Sequence, residues 1–330
     1  MKSIRVWARE VIAAWDRFWY NAAPPHTLAM IRIFAGAMLL YTHTVWSKDL
    51  LAFLGPNSWI DNDASRVMHE GSFAWSYLWY VESPALLWTL HIAALVVFAM
   101  LTVGLFSRVV SVLAFIITIS YCYRLEGALF GLDQVNAMFA MYLMLGPCGA
   151  VYSVDRWLAR RRAGGTLPPP TIGANVAIRL LQWHMCILYL FAGVSKMRGD
   201  TWWDGSAFWF GVVNLEYQSL DITWLGRSPV LLSLVTHVTV FWETFYCVLI
   251  WPKLTRPIFL LLAVVVHGGI ALCLGMITFG TAMLIGNFAF VAPTTVDALV
   301  AGSLKRLRRV LNRRLPVETA SGERRVRQAD

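Results

Sequence analysis

Three side chains in this sequence stand where their chemistry is costly: Lys196 at the end of an apolar run, Glu243 inside a second and His267 inside a third. A charge at the centre of a bilayer costs roughly 2.5–3.5 kcal/mol or more, so Glu243 needs a partner or a changed protonation state, and Lys196 must either reach water or be neutral. A desolvated lysine gives up its proton more readily and can then serve as a base near neutral pH. Lys196 shares a helical face with Ala192, Tyr189, Met185 and Gln182, at offsets of four, seven, eleven and fourteen residues. A hydroxyl and an amide thus lie behind the amine. Glu243 has Thr236, Thr239 and Tyr246 on its own face, and is either protonated or paired, with Arg32 and Lys196 as candidate bases. His267 adjoins Gly268-Gly269, where a neighbouring helix can come close.

Each has a plainer reading. A terminal lysine can snorkel to headgroups, as can Arg32 one turn inside the first apolar run. His267, His184, His237 and Asn287 can hydrogen-bond between helices. Trp202, Trp203, Trp209 and Trp224, which follow Lys196, suit an aromatic belt at the interface. They equally suit a lid whose flat rings cover an aromatic ligand. No H-x-x-x-H or E-x-x-H spacing is present, so no metal site is expected.

The elements that carry these residues follow from composition. The 330 residues are 58% hydrophobic and only 14% charged, against about 25% charged in soluble domains. Apolar runs of helix-spanning length recur, and the alternation of a β-barrel is absent. The fold class read from this is all-α: a polytopic transmembrane bundle of about eight spans. The spans are read near 28–46, 85–106, 109–123, 135–145, 176–195, 230–251, 258–274 and 276–291. Residues 4–19 and 300–315 read as amphipathic interfacial helices, rich in arginine, at the two ends. Three parts result: an interfacial helix over 1–25, a membrane domain over 26–295, and a basic helix with its tail over 296–330.

The net charge of +9 sits in segments that flank the spans. It therefore reads as topology and lipid contact, and nucleic acid is not an expected partner. The N-terminus, Arg108, Arg160-Arg161-Arg162, Lys253/Arg256 and the C-terminus fall on one side if both termini are cytoplasmic. The acidic loop 47–83 and the loop 196–229 then face outward, with Lys196 at that boundary. An inner membrane location without a cleavable signal is expected. The five cysteines occur singly, with no C-x-x-C of a redox or zinc centre. No repeat of transporter type is visible.

A set of ordered motifs runs through the chain: Ile31-Arg32-Ile33-Phe34 with Gly36, Leu54-Gly55-Pro56, Gly104-Leu105-Phe106-Ser107-Arg108, Gly131-Leu132-Asp133-Gln134, and Pro147, Ser153 and Asp155-Arg156. Tyr189 to Asp204 follows, with its alanine-glycine pair, lysine and tryptophan turn, and then Glu243, Arg256 and His267. In order and spacing this resembles the horizontally transferred transmembrane (HTTM) domain family, the membrane part of vitamin K-dependent gamma-carboxylase and its bacterial relatives. The resemblance implies that Lys196 is the base that deprotonates a quinol, a vitamin K-like cofactor, and that His267 helps hold or polarise it. It implies carboxylase- or oxygenase-like, lyase-type chemistry; in an enzyme of that kind Glu243 and His267 would set the lysine's pKa or orient the ligand. Tyr189, Gln182, Trp202, Trp203 and Arg32 are the expected ligand-binding residues. Where the carboxylase carries a large extramembrane domain, this chain ends soon after its last span. Recognition of a peptide glutamate is therefore not expected unless a protein substrate or partner is supplied in trans. The alternative is a non-enzymatic membrane module that binds lipid or assists a partner, in which Lys196 snorkels and Glu243 closes a structural salt bridge.

Overall fold

The computed structural model describes residues 2–163, 165 and 168–314. Among them the extended structure is a single antiparallel bridge, Ala23 to Thr171. The rest of the regular structure is helix, as hydropathy and the lack of alternation require. The main helices are α1 (Lys2–Tyr20), α2 (His26–Trp46), α3 (Pro84–Val103), α4 (Ser107–Arg124), α5 (Gly131–Leu145), α6 (Ile172–Lys196), α7 (Pro229–Leu249), α8 (Arg256–Cys273), α9 (Ile277–Asn287) and α10 (Pro293–Arg314).

Six of these, α2, α3, α4, α6, α7 and α8, are long and apolar enough to cross a membrane. A seventh span is counted if Ile277–Phe290 and Pro293–Arg306, bent by 114° at their break, are taken as one. Here the structure departs from the expected count of about eight. α5 has 15 residues and α9 has 11. At 1.5 Å per residue they rise about 22 and 16 Å, short of a hydrocarbon core of about 30 Å. Both nevertheless run from one face of the bundle to the other. α5 begins with Gly131 against Phe279 near the start of α9, and is followed by Gly146 against Leu28 and Ala177 at the opposite face. Other helices surround it (α2, α4, α6 and α9), so protein rather than lipid bounds its length.

The two faces differ in chemistry. One collects α1, the turns at 104–107, 146–156 and 250–256, and the start of α10. Its contacts are Thr27 to the Val291 carbonyl at 3.0 Å and Asn175 to the carbonyls of Phe18 and Trp19 at 2.8 and 2.9 Å. The basic segments fall on this face. The other face carries the long loops 47–83 and 197–228. α1 is held at its C-terminal end, where Phe18 packs on Trp251 and takes the Arg179 guanidinium over its ring at 4.2 Å. Ile4, Trp7, Val11 and Trp15 are exposed, an unpartnered apolar stripe of the kind that lies in a membrane interface. The C-terminal amphipathic helix also forms and starts earlier than its sequence pattern, at Pro293; the tail after Arg314 lies outside the described residues.

Several motif residues act as turn builders. Gly104 ends α3 at φ +74°, a left-handed conformation that glycine adopts without strain. Its missing Cβ also leaves room for Arg32. Arg32 is 0% exposed and donates to the carbonyls of Leu101 (2.7 Å), Thr102 (2.9 Å), Cys148 (3.0 Å) and Tyr152 (2.6 Å). One guanidinium thus ties α2 to the end of α3 and to the turn after α5, serving carbonyls that the end of a helix leaves unpaired. Asp155 accepts the amides of Phe106 and Ser107 at 2.8 and 2.7 Å and so caps α4. Asp133 accepts the Phe130 amide at the start of α5, and Arg256 donates to the Ile250 and Trp251 carbonyls at the end of α7.

Candidate functional site

α6 and α7 meet at Gly193. A Cβ there would come within 2.5 Å of Thr244 Oγ1 and 2.7 Å of its amide nitrogen, so the two backbones approach as only glycine allows. Lys196 lies three residues beyond this contact on α6, and Glu243 one residue before it on α7. Lys196 Nζ is 2.7 Å from Glu243 Oε2. Among the described residues Lys196 is the charged group paired with Oε2. The side chains are 26% and 8% exposed, so the lysine turns inward rather than to open water. The ring of Trp202 lies 5.4 Å from Nζ and covers its outer side.

A second polar layer lies two turns further into the bundle. Tyr189 is on the Lys196 face of α6 and Tyr246 on the Glu243 face of α7; their rings are 4.2 Å apart. The Tyr189 hydroxyl is 2.6 Å from His267 Nε2 and accepts from Asn287 Nδ2 at 2.7 Å. Tyr246 donates to Asn287 Oδ1 at 2.7 Å. Four helices, α6, α7, α8 and α9, are joined by this chain, and Trp242 packs against both Tyr189 and His267. Tyr189 has one hydroxyl proton. If it goes to Nε2, the neutral imidazole carries its own proton on Nδ1. That Nδ1 is buried without a partner among the described residues, and so is Thr244 Oγ1.

The loop 197–228 packs on the first turns of α7 and covers this cluster from the loop face. Its attachments are Thr236 Oγ1 to the Gly205 carbonyl at 3.0 Å, the Phe208 amide to Thr236 Oγ1 at 3.2 Å, and His237 Nε2 to the Trp203 carbonyl at 3.1 Å. Gly205 has φ +82°, the reason a glycine follows Asp204 in the turn. Trp203 donates its indole N–H to the Met197 carbonyl at 2.7 Å, closing the end of α6, and its ring is exposed.

The residues singled out from sequence therefore divide. Lys196, Glu243, Tyr189, His267 and Trp202 are brought together. Trp203 is at the edge, engaged with backbone. Gln182 and Arg32 are at the opposite face: Gln182 donates to the Ala289 carbonyl at 2.8 Å and accepts from Arg179, and Arg32 holds its four carbonyls. His184 bonds Tyr142 at 3.0 Å, away from the pair. Sequence alone reads Asn287 as packing glue and Gly193 only as part of the alanine-glycine pair, and it gives no sign of Trp242. Asn287 is the centre of the tyrosine chain, which no spacing rule reveals because its partners come from three other helices. Among the described residues no group of three His, Cys, Asp or Glu side chains could hold a metal.

These features define a class, a multi-pass helical membrane protein with a half-buried lysine–glutamate pair above an aromatic, hydrogen-bonded core. The HTTM domain matches residues 20–294, and the chain belongs to that family. No curated protein and no solved structure matches it.

Proposed function

We propose that this protein binds a quinol-like lipid between α6, α7 and α8 and that the Lys196–Glu243 pair acts on it as a proton acceptor. The observation that carries the reading is the pair itself, 2.7 Å apart and inward-turned, with unpartnered polar atoms at Thr244 Oγ1 and His267 Nδ1 in the same helix cluster. A lipid with two ring hydroxyls fits such a set, since buried polar atoms call for hydrogen-bond partners. When bound, a quinol supplies an acidic hydroxyl and an electron-rich ring. This chain's residues manage the proton. Nζ as an ammonium passes a proton to Oε2 of Glu243, giving a neutral amine beside a neutral carboxylic acid. The amine then takes one proton from the ligand hydroxyl and becomes an ammonium again. Tyr189 holds His267 by Nε2, which leaves Nδ1 to orient a ligand oxygen. The loop 197–228 and Trp202 limit water, which strengthens the electrostatics of the pair. The basic face, by the positive-inside rule, is cytoplasmic, and the cluster then lies toward the other leaflet.

The test is mass spectrometry of lipids extracted from the purified chain. A quinone that is retained by the wild type and lost in Lys196→Ala is the expected result. No retained aromatic lipid in the wild type, or equal retention in Lys196→Ala and Glu243→Gln, sinks the reading. The same 2.7 Å contact also supports a second reading, a non-enzymatic module in which the pair only ties α6 to α7. In that case Lys196→Met/Glu243→Leu preserves both stability and cellular phenotype.

A further inference from the structure

We propose that the loop face carries a separate binding site, a cleft at Arg124 that takes a short monocarboxylate. Arg124 is the last residue of α4 and is 1% exposed. Its Nε donates to Asn62 Oδ1 at 2.7 Å and its Nη2 to Ser58 Oγ at 2.9 Å. Both partners are neutral. Nη1 is buried with no partner among the described residues. No Asp or Glu oxygen of the described residues lies within 4.0 Å of the guanidinium. The nearby acids are engaged elsewhere. Asp61 accepts the Ala64 amide at 2.7 Å as a helix cap, and Glu126 is 3.0 Å from His69 Nε2. A buried charge with an unsatisfied donor destabilises the fold, and an anion that reaches it offsets that cost.

The surroundings set the kind of anion. Arg124 lines a cleft of about 100 Å³ with Phe53, Trp59, Ile60, Leu125 and Ala128. Apart from the guanidinium, these side chains are apolar or aromatic. Sites for drug-sized ligands run from about 300 to 1,000 Å³, so this one suits a few heavy atoms. One carboxylate on a small apolar body, as in acetate or propionate, matches both the single charge and the walls. A phosphate would leave most of its oxygens facing apolar carbon, which is unfavourable.

The experiment is thermal unfolding of the full chain in detergent, followed with a thiol-reactive dye at its buried cysteines Cys148 and Cys186. Sodium propionate is titrated against sodium chloride at constant ionic strength. The wild type should show a saturable rise in midpoint of at least about 2 °C. Ala128→Leu fills the cleft and leaves the Asn62 and Ser58 bonds in place, and should abolish the rise. Trp59→Ala, at a residue 79% exposed, should shift half-saturation several-fold upward. No saturable rise in the wild type, or the same titration in Trp59→Ala as in the wild type, overturns the proposal and leaves water as the partner of Nη1.

Discussion

Gly193 on α6 and Thr244 on α7 are in backbone contact, and that contact sets Lys196 Nζ 2.7 Å from Glu243 Oε2. A small residue and a charged pair are thus one device. Close backbone approach brings two opposite charges together, and their attraction offsets part of the cost of taking them out of water.

Removing one partner is worse than removing both. A fully buried pair broken on one side costs roughly 3–5 kcal/mol. Because Lys196 is 26% exposed, about 1–3 kcal/mol is expected for Glu243→Gln or Lys196→Met. Lys196→Met/Glu243→Leu should recover most of that loss. Chemical unfolding in detergent across the double-mutant cycle measures it, and additive single effects would show that the two side chains do not interact.

Gly193→Ala should push α6 from α7. Overpacking of this kind costs about 1–3 kcal/mol. Part of the loss should come from the lengthened ion pair, so Gly193→Ala combined with Glu243→Gln should lose less than the sum of the two. Full additivity in the unfolding free energies would mean that Gly193 does not position Lys196.

Arg32 is a structural staple. Arg32→Lys keeps the charge but cannot reach four carbonyls set around a planar fork. It should lower stability by about 3 kcal/mol, with reduced yield of folded chain. Any quinone retained per folded molecule should not change, because Arg32 is at the face opposite Lys196. A variant of wild-type stability that had lost its bound lipid would contradict this placement.

The loop over the site should loosen in acid. The hydroxyl and amide of Ser206 hold the Asp204 carboxyl below the usual carboxylate range, and those of Thr223 do the same for Asp221. A carboxyl lowered in the folded state adds stability above its unfolded value of about 3.9 and loses it as pH falls through the lowered value. Proteolysis of the 197–228 loop by an acid protease should therefore rise below about pH 4. Asp204→Asn/Asp221→Asn should flatten that dependence.

Much of the helix layout was legible in advance. The apolar run read at 176–195 is helix Ile172–Lys196, and the run read at 230–251 is Pro229–Leu249. Hydropathy locates such segments well because lipid leaves the backbone no choice but internal hydrogen bonds. The count was harder. α5 and α9 are apolar like the rest, and only their packing among other helices allows them to be short.

The candidate site was legible in part. Lys196, Glu243 and His267 stand out because charge or imidazole inside an apolar run is expensive wherever it points. Arg32 stands out for the same reason and yet serves backbone carbonyls, because a buried guanidinium can be satisfied by helix ends as well as by an acid. The ordered motifs show the same split: Gly104, Asp133, Asp155 and Arg256 build turns and caps.

The sequence by itself determined that this chain is helical and membrane-spanning, which residues are too costly to be idle, and which family it joins. Those properties depend on local composition, on spacing along one helix and on motif order. Only the tertiary structure decided that Lys196 faces Glu243 rather than water, that Asn287 joins two tyrosines, and that Arg32 and Gln182 stand apart from them. Pairing between helices depends on their relative rotation and depth, and these are set by contacts such as Gly193 with Thr244 that no single segment contains.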